Sequence, residues 1–177
     1  MAQNSSYVTV DGEFDSLEDR SFLTIDDYDL SGQNVILRID INSSINPENG
    51  DLLDDTRIKR HSATVKELSD KYARVIVLAH QSRPGKLDFV NLEKHGERMS
   101  QIINKEIKFI DDIYGKEAIK HIGKIKDGEI ILLDNVRFDD EEIEVSKFMN
   151  DNFDLQRKSK MVRKLSSQAS FFINDAF

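Results

Sequence analysis

Basic and polar side chains gather just after short apolar runs in this sequence of 177 residues. A guanidinium group fits the planar oxygens of a carboxylate or phosphate, and a histidine can add a further hydrogen-bond donor. Such a group of side chains predicts a binding site for a small ligand that carries several negative charges. The candidate site residues are Asp40, Asn42, Arg57, His80, Arg83 and Arg137.

The elements that must position these residues are predicted by five apolar runs with strand-like composition. Each run is separated from the next by enough residues for a helical crossover. This alternation predicts an α/β fold, in which helices cover both faces of an open, mostly parallel, doubly wound sheet to give three layers in a single domain. The predicted strands are 35–37, 75–78, 107–110, 130–133 and 171–173.

The first predicted helix begins at Asp55 or Thr56, since both residue types are good N-caps. Its buried stripe is predicted to comprise Ile58, Val65, Leu68 and Tyr72. In open α/β sheets, ligands bind beyond the carboxyl ends of the strands, where the helices start. Arg57, at this helix start, should therefore meet the residues that follow the strands.

Single members of the candidate set also have simpler interpretations. Arg137 could pair with Asp139 or Asp140, and His80 could be an ordinary loop histidine. Their convergence on one rim of the predicted sheet favours the anion site over these alternatives.

The segment 141–165 has the least clear pattern, and a basic run lies within residues 157–164. We interpret that run as the solvated face of a helix, because Met161 and Leu165 have the spacing of a buried side. The alternative, a second anion patch, is disfavoured.

The formal charge of −8 is concentrated at the amino end of the chain. Residues 1–30 contain eight acidic side chains and one arginine, which leaves a charge of only −1 for the remainder. A nucleic-acid surface needs a basic stripe, so we expect no nucleic-acid partner. We interpret residues 1–21 as an acidic, flexible extension and residues 22–177 as the folded domain.

Composition also indicates where the protein functions. The sequence contains no cysteine, so it can form neither a disulfide nor a thiolate site, and a reducing cytoplasm is the expected location. The longest apolar runs, 75–79 and 130–133, are far shorter than the ~20 residues of a membrane-spanning helix. We therefore expect no membrane association.

Metal and nucleotide sites are not predicted within this sequence. His61, His95 and His121 lack partners at metal-ligand spacing, so we assign them structural or surface roles and expect no metal. None of the glycine-rich patterns that hold nucleotide phosphates is present. If ATP is used, another domain must supply its site.

Five short strings contain most of the candidate residues. They are RIDIN at 38–42, DDTRI at 54–58, HQSRPG at 80–85, NVRF at 135–138 and NDAF at 174–177. In this order and spacing they are similar to the substrate half of the phosphoglycerate kinases, in the version found in archaeal members. The resemblance covers roughly residues 22–177.

The resemblance implies a division of roles among the candidate residues. Asp40 and Asn42 would contact the hydroxyl and carboxylate end of 3-phosphoglycerate, while His80, Arg83 and Arg137 would hold its phosphate. The implied ligands are therefore 3-phosphoglycerate and 1,3-bisphosphoglycerate.

The resemblance also implies that Arg57 is the catalytic residue, which contacts the carboxylate and stabilises the phosphoryl group during its transfer. Members of the family have two doubly wound domains, and the second binds magnesium-ATP. We expect this chain to be a fragment or isolated domain that binds 3-phosphoglycerate, lacks a cofactor of its own and is inactive without the nucleotide-binding domain.

Two departures from the family pattern are visible. After the NDAF string the family usually continues into a loop whose arginine also grips the substrate phosphate, and that loop is absent here. In addition, Gln81 and Ser82 replace the Leu-Gly pair of many bacterial and eukaryotic members, which could change the stiffness of the loop.

Two other functions remain as alternatives. One is a stand-alone anion-binding module or pseudoenzyme that keeps the pocket as a sensor or interaction surface. The other is a receiver-like phosphoacceptor domain, which also alternates five strands with helices. The receiver interpretation is disfavoured because Asn174 and Asp175 stand where such a domain needs a lysine.

Overall fold

A six-stranded sheet forms the centre of the computed structural model, which describes residues 7–9, 23–147 and 157–176. The strands are β1 (Tyr7–Thr9), β2 (Asn34–Ile39), β3 (Arg74–Leu78), β4 (Ile107–Ile110), β5 (Ile130–Leu133) and β6 (Phe171–Asp175). They lie side by side in the order β1-β6-β2-β3-β5-β4. No helix in the described ranges is long and apolar enough to cross a membrane.

The strand directions confirm the predicted α/β architecture. β6, β2, β3, β5 and β4 pair in parallel with their neighbours, and these are the five predicted strands. The additional strand β1 pairs antiparallel with β6. It lies within residues 1–21, which we interpreted as an acidic, flexible extension. Three residues are too few to show an alternating pattern in the sequence. The rest of that segment lies outside the described residues.

Helices connect the parallel strands and cover the sheet. They are α1 (Thr56–Asp70), α2 (Glu93–Ile103), α3 (Lys116–Ile122), α4 (Asp140–Lys147) and α5 (Lys160–Ser166). α1 begins within the predicted start, and Ile58, Val65 and Leu68 are fully buried as predicted. The prediction for Tyr72 was wrong: it lies in a left-handed turn after α1, with φ of 61°, and is 65% exposed. That turn redirects the chain into β3, which removes Tyr72 from the helical stripe.

β2, β3 and β5 are largely apolar because each contributes to two cores. Alternate residues of a strand point to opposite faces of the sheet. Val75 and Val77 of β3 join the core beneath α1 and α2, whereas Ile76 and Leu78 join a second core with residues of α3 and α5. Full burial of one such side chain typically contributes about 1.5–3 kcal/mol. The two cores therefore fix the rim at which the strands end.

The least clear segment of the sequence is described only in part, since residues 148–156 lie outside the described ranges. In α5, Leu165 is 3% exposed and Met161 packs partly buried against the second core. Arg163 and Lys164 are exposed. These positions confirm the interpretation of the basic run as a solvated helix face.

Candidate anion-binding site

The carboxyl ends of the parallel strands bring predicted site residues to one rim of the sheet. Asp40 directly follows β2, and His80 follows β3 after one intervening residue. Arg137 lies in a single helical turn, Val136–Phe138, that begins after β5. Arg57 is the second residue of α1, the helix that follows β2. The contacts described next join these residues into one group.

Asp40 and Arg57 form an ion pair across the rim. The Asp40 side chain is 14% exposed, whereas the Arg57 side chain is 53% exposed. Asp40 Oδ1 also accepts a hydrogen bond of 3.1 Å from the backbone N–H of Asn42. A guanidinium that is half exposed can turn toward an incoming anion while its partner carboxylate stays fixed by the chain.

Asn42 connects the loop after β2 to the loop after β3. Its Oδ1 accepts a hydrogen bond of 2.9 Å from the backbone N–H of Ser82. Ser82 has φ of 56°, a left-handed conformation that most residues other than glycine avoid. The side-chain oxygen of Asn42 therefore stabilises the loop after β3.

His80 lies between two guanidinium groups. Its Nδ1 is 3.4 Å from a terminal nitrogen of Arg38. Burial, together with the charges of Arg137 and Arg38, lowers the pKa of His80 to about 4. His80 is therefore neutral near pH 7 in the ligand-free protein, so the positive charge of the rim comes from its arginines.

Arg137 and Arg83 differ in how firmly they are held. Arg137 donates a hydrogen bond of 2.5 Å to the backbone carbonyl of Ser82, which ties the turn after β5 to the loop after β3. The Arg83 side chain is exposed and makes no ion pair within the described part of the chain. Of these two, Arg83 is thus the solvent-exposed cation and Arg137 the one held by the neighbouring loop.

Sequence reasoning did not assign Arg38, although it belongs to the same cluster. Its side chain is 22% exposed, and a terminal nitrogen lies 3.7 Å from a carboxylate oxygen of Glu142 in α4. Burial lowers the pKa of Arg38, and the Glu142 carboxylate opposes this shift. The available signal was a single arginine inside an apolar strand, two residues before Asp40.

The start of α1 is fixed from one side by an ion-pair cluster. Asp55 accepts hydrogen bonds from Arg98 of α2, at 2.8 Å from Nε and 2.6 Å from a terminal nitrogen. Lys59 of the next turn lies 2.7 Å from the other Asp55 oxygen. The hydrogen bonds from Lys59 and then Arg98 lower the pKa of the Asp55 carboxyl. This cluster holds the helix end that carries Arg57.

The same helix is joined to the end of β6. Asp175 accepts a hydrogen bond of 2.8 Å from Thr64 Oγ1, and its carboxylate lies 2.9 Å from Nδ1 of the buried His61. Burial by itself would raise the pKa of Asp175, but hydrogen bonds from His61 and Thr64 outweigh it and lower the pKa. His61 thus has the structural role that we assigned to it.

A second histidine lies beneath the rim. His95 of α2 is completely buried, and its Nε2 is 3.1 Å from Oε1 of Gln81. Burial lowers the pKa of His95 to about 4, so the ring is neutral and donates its proton to Gln81. In the described ranges no group of three or more His, Asp or Glu side chains could hold a metal ion.

Substitution of His95 by glutamine should weaken the acid sensitivity of the fold. The unfolded histidine takes up a proton near pH 6.5 and the folded one only near pH 4, so His95 destabilises the fold as the pH falls through this window. Glutamine retains an N–H donor for Gln81 but does not titrate. Urea unfolding between pH 7 and pH 4 gives the slope of the unfolding free energy against pH. In the variant this slope should be smaller than in the unsubstituted chain by up to about 1.4 kcal/mol per pH unit. A slope equal to that of the unsubstituted chain would contradict this assignment.

Comparisons with known proteins place the chain in a family. The family model described as phosphoglycerate kinase matches residues 25–177, which is most of the chain. The chain belongs to the phosphoglycerate kinase family. It is 46% identical over 156 residues to the phosphoglycerate kinase of Methanothermobacter thermautotrophicus and 47% identical over 156 residues to that of Methanobacterium bryantii. These relatives are archaeal, in agreement with the sequence resemblance.

Solved structures give the same result for the fold. The phosphoglycerate kinase from Pyrococcus horikoshii OT3 matches with a TM-score of 0.79 and 30% identity over 86% of this chain. The chain covers 36% of that structure and 37% of the length of both archaeal relatives named above. The family assignment therefore concerns about one third of a phosphoglycerate kinase.

The departure from the Leu-Gly pattern of many phosphoglycerate kinases has a clear structural counterpart. Ser82 adopts the left-handed conformation that a glycine would adopt with less strain. Gln81 is fully buried and uses its polar side chain in hydrogen bonds below the loop. Sequence reasoning identified this pair as unusual but not the hydrogen bonds that accompany it.

Proposed function

We propose that the rim binds 3-phosphoglycerate or 1,3-bisphosphoglycerate, and that this chain is the substrate-binding part of a phosphoglycerate kinase. The observation that carries the proposal is the convergence of arginines and His80 on the rim formed by the carboxyl ends of β2, β3 and β5. The family match over residues 25–177 supports the same ligand. The arginines of the cluster are Arg38, Arg57, Arg83 and Arg137.

The proposed ligand fits the cluster because its two charged ends differ in shape and charge. The phosphate is the remote end, to be gripped by Arg83, Arg137 and His80. The carboxylate end, with the hydroxyl, lies toward Asp40 and Asn42. A bound phosphate next to His80 favours the protonated ring, since a nearby opposite charge raises the pKa of a histidine.

Arg57 is the proposed catalytic residue of the complete enzyme. A carboxylate oxygen of the substrate attacks the γ-phosphorus of ATP, and the bond from that phosphorus to the bridging oxygen breaks, so that ADP leaves with the electron pair. This step brings negatively charged groups together. A guanidinium placed between them stabilises the charge that is spread over the transferring phosphoryl group.

Magnesium-ATP is proposed to bind to a second domain of the complete kinase. The glycine-rich patterns that hold nucleotide phosphates do not occur in the present sequence. On this proposal the chain binds substrate but needs that domain for turnover. The alternative function is a stand-alone anion-binding module, which would share the ligand but never transfer a phosphoryl group.

Calorimetric titration with 3-phosphoglycerate tests the binding proposal. The chain should bind the ligand weakly, and binding should weaken further as salt is added, because screening reduces the attraction between the arginines and the anion. Simultaneous Arg83→Ala and Arg137→Ala should raise Kd by at least about 100-fold, since each hydrogen bond to a charged group is worth about 1.5–3 kcal/mol.

Arg74→Ala is the matched control for the loss of a guanidinium. Arg74 lies at the amino end of β3, far from the rim, where its Nε donates a hydrogen bond of 2.7 Å to Asp127. The Kd of the Arg74→Ala variant for 3-phosphoglycerate should equal that of the unsubstituted chain. Unchanged affinity in the double variant would refute the site.

A further inference from the structure

The loop after β3 is held from below by the side chain of Gln81. Its Oε1 accepts a hydrogen bond of 2.9 Å from the backbone N–H of Ser43 and lies 3.1 Å from Nε2 of His95. Its NH₂ group donates to the backbone carbonyls of Ser43, at 2.9 Å, and Asp88, at 3.3 Å. Every donor and both acceptor positions of this amide are therefore occupied in the interior of the protein.

The backbone of Gln81 is paired as well. Its N–H donates to Oδ1 of Asn135 at 3.2 Å, and its carbonyl accepts from Nδ2 of Asn135 at 2.8 Å. Asn135 is also fully buried and donates a second hydrogen bond, of 3.0 Å, to the carbonyl of Val90. Gln81 thus joins the loops after β2, β3 and β5 to α2.

Ser82, the next residue, connects these hydrogen bonds to the anion site. Ser82 is held in its left-handed conformation by its N–H to Asn42, its Oγ to Asp88 at 2.5 Å and its carbonyl to Arg137. Two of these three partners are candidate ligand residues. Any rotation of the peptide between Gln81 and Ser82 would therefore displace Asn42 or Arg137.

We propose that Gln81 is a positioning residue, whose buried amide keeps the loop of residues 80–90 in the conformation that binds the substrate anion. The inference rests on the proposed function, because it concerns how the same rim is kept ready for its ligand. Gln81 itself is not among the candidate ligand residues. Apolar residues at this position fill space but cannot form hydrogen bonds to three separate segments.

Gln81→Leu is the direct test, with 3-phosphoglycerate as the titrant. Leucine has a similar size but removes the hydrogen bonds to Ser43, Asp88 and His95. If the loop then spends about one tenth of its time in the binding conformation, Kd rises about 10-fold. Hydrogen exchange of residues 80–90 in the ligand-free variant should be faster, whereas exchange in β5 should stay slow. Titrations are run at a temperature at which circular dichroism shows both proteins to be folded.

Two controls separate positioning from a general loss of stability. Ser69→Ala also removes hydrogen bonds of a buried side chain, at the opposite end of α1: Ser69 Oγ donates to the carbonyl of Gly128 at 2.6 Å and accepts from Lys105 Nζ at 2.8 Å. It should lower the melting temperature and leave Kd unchanged. Adding His95→Leu to Gln81→Leu removes the buried imidazole that has lost its acceptor. The double variant should regain melting temperature but not affinity.

The outcomes distinguish this inference from the proposed function. If the unsubstituted chain binds 3-phosphoglycerate and Gln81→Leu binds it equally well, the positioning role is wrong and the proposed function stands. If Kd recovers together with melting temperature in the double variant, Gln81 serves stability alone and the inference is again wrong. Failure of the unsubstituted chain to bind 3-phosphoglycerate overturns both.

Discussion

Arg57→Ala should lower kcat by about 10²–10³-fold, the usual cost of losing one preorganised donor to a transition state. The measurement needs a complete enzyme, in which this chain is joined to the remaining part of the Methanothermobacter thermautotrophicus kinase. The fold should tolerate the change, since the Arg57 side chain is 53% exposed. Exposed ion pairs typically contribute only about 0–1 kcal/mol to stability.

Two further variants give this prediction its controls. Arg83→Ala should act mainly on KM, because a remote phosphate is gripped similarly in the ground state and the transition state. Arg57→Lys should restore only part of the lost kcat, since an ammonium group lacks the planar fork of a guanidinium. If Arg57→Ala raises KM while kcat stays constant, Arg57 is a substrate clamp and its catalytic role is wrong.

The 177-residue chain by itself should show no phosphoryl transfer. The reason is chemical: its sequence contains no glycine-rich loop to hold the phosphates of ATP. A coupled assay with magnesium-ATP and 3-phosphoglycerate should remain at background, and calorimetry with magnesium-ATP should show no binding. The joined enzyme serves as the positive control under identical conditions.

Turnover measured with the chain alone would contradict this expectation only if the activity comes from the chain itself and not from a contaminating kinase. The test is Arg57→Ala purified in the same way: activity that disappears in the variant is intrinsic, whereas activity that persists comes from a contaminating kinase. Intrinsic activity would show that the argument for a separate nucleotide-binding domain is wrong.

The centre of the sheet was predictable from sequence because strands such as β3 and β5 are buried on both faces. A run such as 130–133 is apolar at every position, and such runs stand out when helical patterns separate them. β1 was not predictable in this way. Its three residues pair at the edge with β6, and a strand of that length has no period that a sequence can reveal.

The candidate ligand residues of the site were predictable from sequence. The residues that hold them in position were not. His80 follows a predicted strand and Arg57 lies at a predicted helix start, so their convergence follows from the parallel topology. Arg38 was missed because a lone arginine in a strand gives no indication of which face it joins. Gln81 was missed as a support because its side chain bonds to three residues, Ser43, Asp88 and His95, that lie in different segments, and only the folded chain brings them together.

The amide spectrum of the ¹⁵N-labelled chain, recorded during titration with 3-phosphoglycerate, tests the central claim most directly. The claim predicts that the largest shifts occur at the rim, at the amides of Asn42, Arg57, Ser82 and Arg137. The amides of Ser69 and Gly128, at the opposite end of the sheet, should not move. Shifts centred on Ser69 and Gly128, or no saturable shift at the rim, would contradict the assignment of this rim as the substrate site.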